Sequence, residues 1–212
     1  SGSYLSPLVT TGLVQLGRIA WGERPCRFAG KRWEAPCVDL RRLSEEMSDW
    51  AAQRRRPKVV LATQTRVLEA AVDERGEWLP VTPMISVVPR PGMDLWSLGA
   101  ILCSPVLSAI GARLSAGTGL TRGVIKLSAK QVRGLPMPRG TCEEGGALLR
   151  AASREREQVR DSLLDRCARQ VCRAYGTSSA DTETLMSWWW ARQRGGGSVA
   201  SARITSSPRR SG

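Results

Sequence analysis

The sequence contains no histidine. That absence excludes zinc sites of the usual mixed cysteine–histidine kind, and any hydrolase whose serine or cysteine is activated by an imidazole. A Ser–Lys pair would survive this filter, but nothing marks one. Glycine-rich nucleotide motifs are also missing: neither GxGxxG nor GxxxxGK[ST] occurs, and the nearest approach, the GTG of Gly117–Gly119, has the wrong spacing. Cysteine is present six times, at Cys26, Cys37, Cys103, Cys142, Cys167 and Cys172, but never as CxxC. Cys167 and Cys172 would stand about 140° apart around a helix, which suits neither a shared metal nor a disulfide. Reduced, packing cysteines in a cytoplasmic protein are therefore expected.

Long hydrophobic runs are absent too. The most apolar stretch, residues 95–110, falls short of the roughly 20 residues of a membrane span and is interrupted by Pro105. No basic segment followed by an apolar run opens the chain, so no signal peptide is expected. The first residue is Ser1 rather than methionine, which suggests a longer parent. Phe and Tyr are scarce, one and two, against eight Trp.

What is abundant is positive charge. Lys and Arg number 32 against 19 Asp and Glu, a formal net charge of +13 over 212 residues. Such an excess points to a polyanionic partner, nucleic acid before an anionic membrane. Acid–base and metal chemistry are poorly furnished. Glu69, Asp73, Glu74 and Glu77 cluster near a strand and turn, where a metal-dependent nuclease using Glu69, Asp73 and Lys58 competes with a solvated hairpin end.

Along the chain, residues 1–14 suit a strand, and residues 21–40 an irregular connection anchored by Trp21 and Trp33. Residues 38–56 carry Leu40, Leu43, Met47 and Trp50 at helical spacing, ended by Pro57. A buried strand begins at Lys58, a turn surrounds Gly76, and residues 78–89 read as an edge strand because of their prolines. Two helices follow, capped by Asp94 and by Ser104 with Pro105 at the first helical position. Residues 142–176 read as a long amphipathic helix of roughly 30 residues, with Leu148, Ala152, Val159, Leu163, Cys167 and Val171 on one face. A shorter helix with Asp181 as N-cap carries Trp188, Trp189 and Trp190. The small, polar, basic tail is expected to be disordered.

The basic residues concentrate around a glycine–threonine loop. Arg113, Arg122, Lys126, Lys130 and Arg133 bracket it, with Thr118 and Thr121 offering hydroxyls, and alternation in VIKLSAKQV would set Lys126 opposite Ile125 and Leu127 on a strand. These cations suit phosphates. Gln64, Thr65, Arg66 and Gln131 carry the side-chain types that reach base edges and choose sequence.

The stretch LCSPVLSAIGARLSAGTGLTRGVIKLSAKQVRGLPMP, residues 102–138, resembles the closing signature of the target-recognition domains of N-6 adenine DNA methyltransferases and of type I restriction–modification specificity subunits. Leu102, Ser104 and Pro105 match the helix start, with Cys103 where asparagine is usual. Gly117 and Thr118 match the loop, Ile125 and Leu127 the strand, and Leu135, Pro136 and Pro138 the turn. Upstream, residues 57–89 look like the matching central strands.

The resemblance implies an α+β fold: a mixed-sheet DNA target-recognition domain over residues 1–140, a long amphipathic spacer or docking segment over 141–194, and a basic tail over 195–212. It implies duplex DNA and a methyltransferase catalytic domain or subunit as partners. The methylase's adenine-pocket motif and S-adenosylmethionine motif are not in these residues, so no cofactor is expected here, and the methyl donor would belong to the catalytic part. A protein-interaction module docking through its helices is the alternative, beside the nuclease fragment.

Overall fold

The computed structural model describes residues 4–116 and 123–195. Its class is α+β, with seven helices among the described residues set against small mixed sheets. The first half holds strands β1 (Leu5–Val9), β2 (Val14–Gln15), β3 (Arg18–Ile19), β4 (Cys26–Phe28), β5 (Lys31–Trp33) and β6 (Cys37–Asp39). Helix α1 (Glu45–Arg54) follows, then β7 (Lys58–Leu61), β8 (Ala70–Asp73), β9 (Leu79–Pro80) and β10 (Ile85–Val87). The second half is helical: α2 (Leu95–Leu102), α3 (Pro105–Leu114), α4 (Ala129–Arg133), α5 (Glu143–Ala152), α6 (Glu157–Tyr175) and α7 (Ser179–Arg194).

One sheet runs β6-β1-β9, antiparallel on one side of β1 and parallel on the other. The second, β10-β7-β8, is antiparallel, with Lys58 opposite Asp73 and Leu61 opposite Ala70. All four residues of β7 are buried, because both faces of that sheet are covered. The two-residue period of a strand sorts them: Val59 and Leu61 enter a core built with α2, α3 and the C-terminal helices, while Val60 enters a smaller core with Val9, Leu13 and Val14. The sheet is a wall between two apolar cores. β10 lies at its edge, as its flanking prolines predict.

Helix α2 is buried nearly all round, as a central helix must be, and its start is set by Asp94, whose Oδ2 accepts from Ser97 N at 2.7 Å. Ser104 caps α3 in the same way, with Pro105 at its first position. Together these helices form the apolar stretch at 95–110, bent by 54° between them, and no single helix among the described residues is long and apolar enough to cross a membrane.

Several local expectations are corrected. The long helix is two: α5 ends where Ser153 Oγ turns back onto Arg150 O at 2.7 Å, and α6 restarts at Glu157. The break shifts the phase of the apolar stripe. Val159 stands 56% exposed, and Leu164, Cys167, Ala168 and Val171 form the seam. These residues share the core of Val59 and Leu61, so the helices at 141–194 fold back onto the strand-bearing half. Left-handed Gly176, with φ of 77°, then stops α6. The N-cap of α7 is Ser178, not Asp181: Ser178 Oγ accepts from Asp181 N at 3.1 Å. In α1 only Ala51 is buried and Met47 is exposed, while Leu40–Arg42 forms a separate 3-10 turn because Asp39 accepts from Arg41 N. Trp21 does anchor its segment, donating to Pro36 O at 2.8 Å and meeting Trp78 edge-on, but Trp33 is exposed on a small hairpin.

Candidate nucleic-acid interface

The site begins with a stripe of small residues on α3. Ser104, Ser108, Gly111 and Ser115 recur at four- and three-residue steps, so they lie along one face of the helix, and all are buried. Ser108 Oγ accepts from Leu68 N at 3.0 Å. Gly111 leaves so little room that a Cβ there would stand 3.1 Å from Ile125 Cγ2. Ser115 Oγ accepts from Lys126 N at 2.9 Å and donates to Lys126 O at 3.1 Å. A single helix face thus holds two distant segments side by side, residues 64–68 and 123–127.

Those segments pair directly. Gln64 N donates to Ile125 O at 3.0 Å, and Ile125 N donates to Thr65 O at 2.7 Å. Gln64 takes a left-handed backbone, φ 67°, which turns its side chain out at the tip. From α7, Arg192 reaches over the pair: its Nε donates to Arg66 O at 2.9 Å and its Nη2 donates to Gly123 O. The Arg192 guanidinium also lies 4.9 Å from the centre of the Trp188 ring. Burial first, and then the positive charge of Arg66, hold its pKa below the ordinary arginine range.

The expected residues fall into four groups. Gln64, Arg66 and Lys126 are exposed on this paired edge, and Arg113 is exposed in the last turn of α3, two residues before Ser115. Burial alternates as foreseen: Ile125 is 1% and Leu127 5% exposed on either side of Lys126. The strand itself shrinks to one bridge at Ile125, because Ser128 caps α4 immediately afterwards. Lys130 and Arg133 are exposed on α4, and no hydrogen bond or ion pair among the described residues joins them to the paired edge. Gln131 is committed to its own helix, Oε1 accepting from Ser128 N at 2.8 Å while its N–H donates to Ser128 Oγ, a capping box. Thr65 is half-buried, and its hydroxyl donates to Val67 O. Thr118 and Arg122, with Gly117 and Thr121, lie outside the described residues, as does the tail from residue 196 onward.

The segment that runs from α2 to α4 carries charge of one sign. From residue 95 to 142 the chain contains no carboxylate, while Arg113, Arg122, Lys126, Lys130, Arg133 and Arg139 fall within it. Among the described residues, none of Arg66, Arg113, Lys126, Lys130 or Arg133 forms an ion pair, whereas Arg150 and Arg169 elsewhere do. Arg192 and Trp188 were not foreseen as part of the site. Their signal in the sequence is the four-residue step between a Trp and an Arg on one helix face, visible only once α7 is placed beside Gly123.

The nuclease residues do not converge. Lys58 Nζ and Asp73 Oδ2 form a buried ion pair, and Asp73 also accepts from Glu77 N and Trp78 N, both at 3.1 Å, so it braces the turn around Gly76. Glu69 sits apart, its carboxyl raised to about 7 by burial against the opposing pull of Arg24 and Arg160. Among the described residues no group of three or more carboxylates and cysteines is placed to hold a metal. All six cysteines are free; burial raises Cys103 to about 12 and Cys172 to about 11, which suits packing rather than nucleophilic thiols.

Comparison with protein-family models gives no match, and comparison with curated proteins gives none either.

Proposed function

We propose that this chain is the DNA target-recognition part of an N-6 adenine DNA methyltransferase or type I restriction–modification system. It would hold a specific duplex site for a catalytic domain or subunit that binds S-adenosylmethionine and carries out the methyl transfer. One observation carries the reading: an edge free of carboxylate partners, on which exposed Gln64, Arg66 and Lys126 are fixed together by α3 and α7. Cations without carboxylate partners suit phosphates, and a rigidly presented glutamine suits a base edge. The resemblance of residues 102–138 to target-recognition domains supplies the class of DNA-binding protein.

The test is duplex binding by the purified chain across a salt series. Affinity should fall steeply as salt rises, because several phosphates are neutralised. Lys126→Ala and Lys130→Ala should weaken binding on every sequence alike. A chain that ignores duplex DNA at low ionic strength overturns the proposal.

A further inference from the structure

We infer that Arg66 and Arg192 together form a clip for one phosphodiester group, which extends the interface onto α7 and makes Arg66 a backbone holder rather than a base reader. This rests on the reading of the paired edge as a DNA-binding face.

The geometry of Arg192 comes first. Its guanidinium has two N–H directions occupied, Nε by Arg66 O and Nη2 by Gly123 O. The Trp188 ring lies against it, 4.9 Å from Cζ. A guanidinium presents five N–H donors in a fixed plane, so those on Nη1 keep a set direction, and among the described residues they meet no acceptor. Arg66 stands beside it over the end of α7, its Nη1 2.8 Å from where a Cβ on Gly195 would be. Neither side chain meets a carboxylate among the described residues, although both residues are packed at one junction.

Like charges brought together without a counter-charge form a stable arrangement when an anion completes it. Here the anion needs planar, multidentate donors, and two guanidiniums provide them for phosphate oxygens. The Arg192 forks also fix the backbone that carries Gln64 and Lys126. Occupation of the clip would therefore set the phosphate register from which Gln64 reaches a base.

The experiment uses the full chain and fluorescence anisotropy, over a salt series, of labelled random-sequence duplexes and of duplexes that the wild type selects from a random pool. The proteins are the wild type, Arg66→Ala, Arg192→Ala, the double variant, Arg192→Lys and Arg27→Ala as an exposed control. For one shared phosphate, each single variant should lower the slope of log affinity against log salt by about 0.9, and the double variant by the same amount, not twice that. Sequence preference should stay as in the wild type. Arg192→Lys should keep the slope but bind more weakly, because a point charge replaces the fork.

Wild-type slopes in both alanine variants, with the wild type binding normally, overturn the clip and leave the proposed function standing. A changed sequence preference in Arg66→Ala at constant slope returns Arg66 to base reading and also overturns it. If the wild type binds no duplex, the proposed function falls, and the clip with it. Should Arg192→Ala fail to fold, Arg66→Ala decides alone, because the Arg66 side chain makes no hydrogen bond among the described residues.

Discussion

Lys58 and Asp73 face each other across the first rung of the β7–β8 hairpin, and their ion pair is sealed, each side chain only 1% exposed. Burial pulls the Lys58 pKa below its ordinary value, against the attraction of Asp73. Such a pair gives little net stability over an apolar replacement, but breaking it strands a charge. Asp73→Asn should therefore cost about 3–5 kcal/mol in urea denaturation. The double change Lys58→Met with Asp73→Asn should cost clearly less than the two single costs added. Additive costs would show that the two side chains are not energetically coupled.

Glu69 gives a pH signature of its own. Burial raises its carboxyl from 4.5 to about 7, with Arg24 and Arg160 opposing. Below about 4.5 the group is protonated whether folded or unfolded, and its full stabilising share is present. Between the two values the native state holds the proton more tightly, so stability falls as pH rises, and the loss is complete above about 7. The span corresponds to about 3 kcal/mol at 1.36 kcal/mol per pKa unit. Thermal melts from pH 4.5 to 7.5 should show this decline superimposed on other titrations, and Glu69→Gln should flatten it. An unchanged slope in the glutamine variant would count against a buried carboxyl.

Gln64 allows backbone and side chain to be separated. Its left-handed φ of 67° favours glycine, so Gln64→Gly should fold at least as well as the wild type, whereas Gln64→Ala keeps the strain without the amide. Both should lose discrimination between duplex sequences, by about 1–3 kcal/mol if the glutamine makes a bidentate base contact. A preserved preference in Gln64→Gly would remove Gln64 from the reading set.

How far the sequence discloses these features depends on how local their causes are. The caps at Asp94 and Ser104 are legible because an N-cap is settled within four residues. The burial of Ile125 and Leu127 about an exposed Lys126 is legible from alternation alone. The break between α5 and α6 is not, since the run of Leu, Ala and Arg suits helix throughout and the reversal serves a core shared with Val59 and Leu61. Gln131 misleads for a related reason: a glutamine three residues after a serine is both a helix cap and a plausible base reader, and here the cap engages its Oε1. The pairing of residues 64–66 with 123–126 joins segments about 60 residues apart. Only the small-residue stripe on α3 hints at it.

The same logic of close approach governs the crossing of α2 and α5, where Gly146 meets backbone rather than side chain. A Cβ at Gly146 would stand 2.7 Å from Ser97 N and 2.9 Å from Trp96 C. No rotamer change relieves a contact with main chain, so Gly146→Ala must push the helices apart. The displacement would open the layer that holds Leu148 and Leu149 against α2, because Leu149 Cδ2 also lies 3.1 Å from where a Cβ on Gly99 would be. Overpacking of this kind costs about 1–3 kcal/mol. Helix propensity works the other way, since alanine in a helix interior is favoured over glycine by about 1 kcal/mol. Gly12→Ala, in a 3-10 turn where a Cβ meets nothing within 4 Å, is the control for a methyl group added without a close contact. Gly12→Ala should leave the denaturation midpoint nearly unchanged, while Gly146→Ala should lower it despite the better helix former. A midpoint that rises in Gly146→Ala would mean that α2 and α5 do not cross this closely.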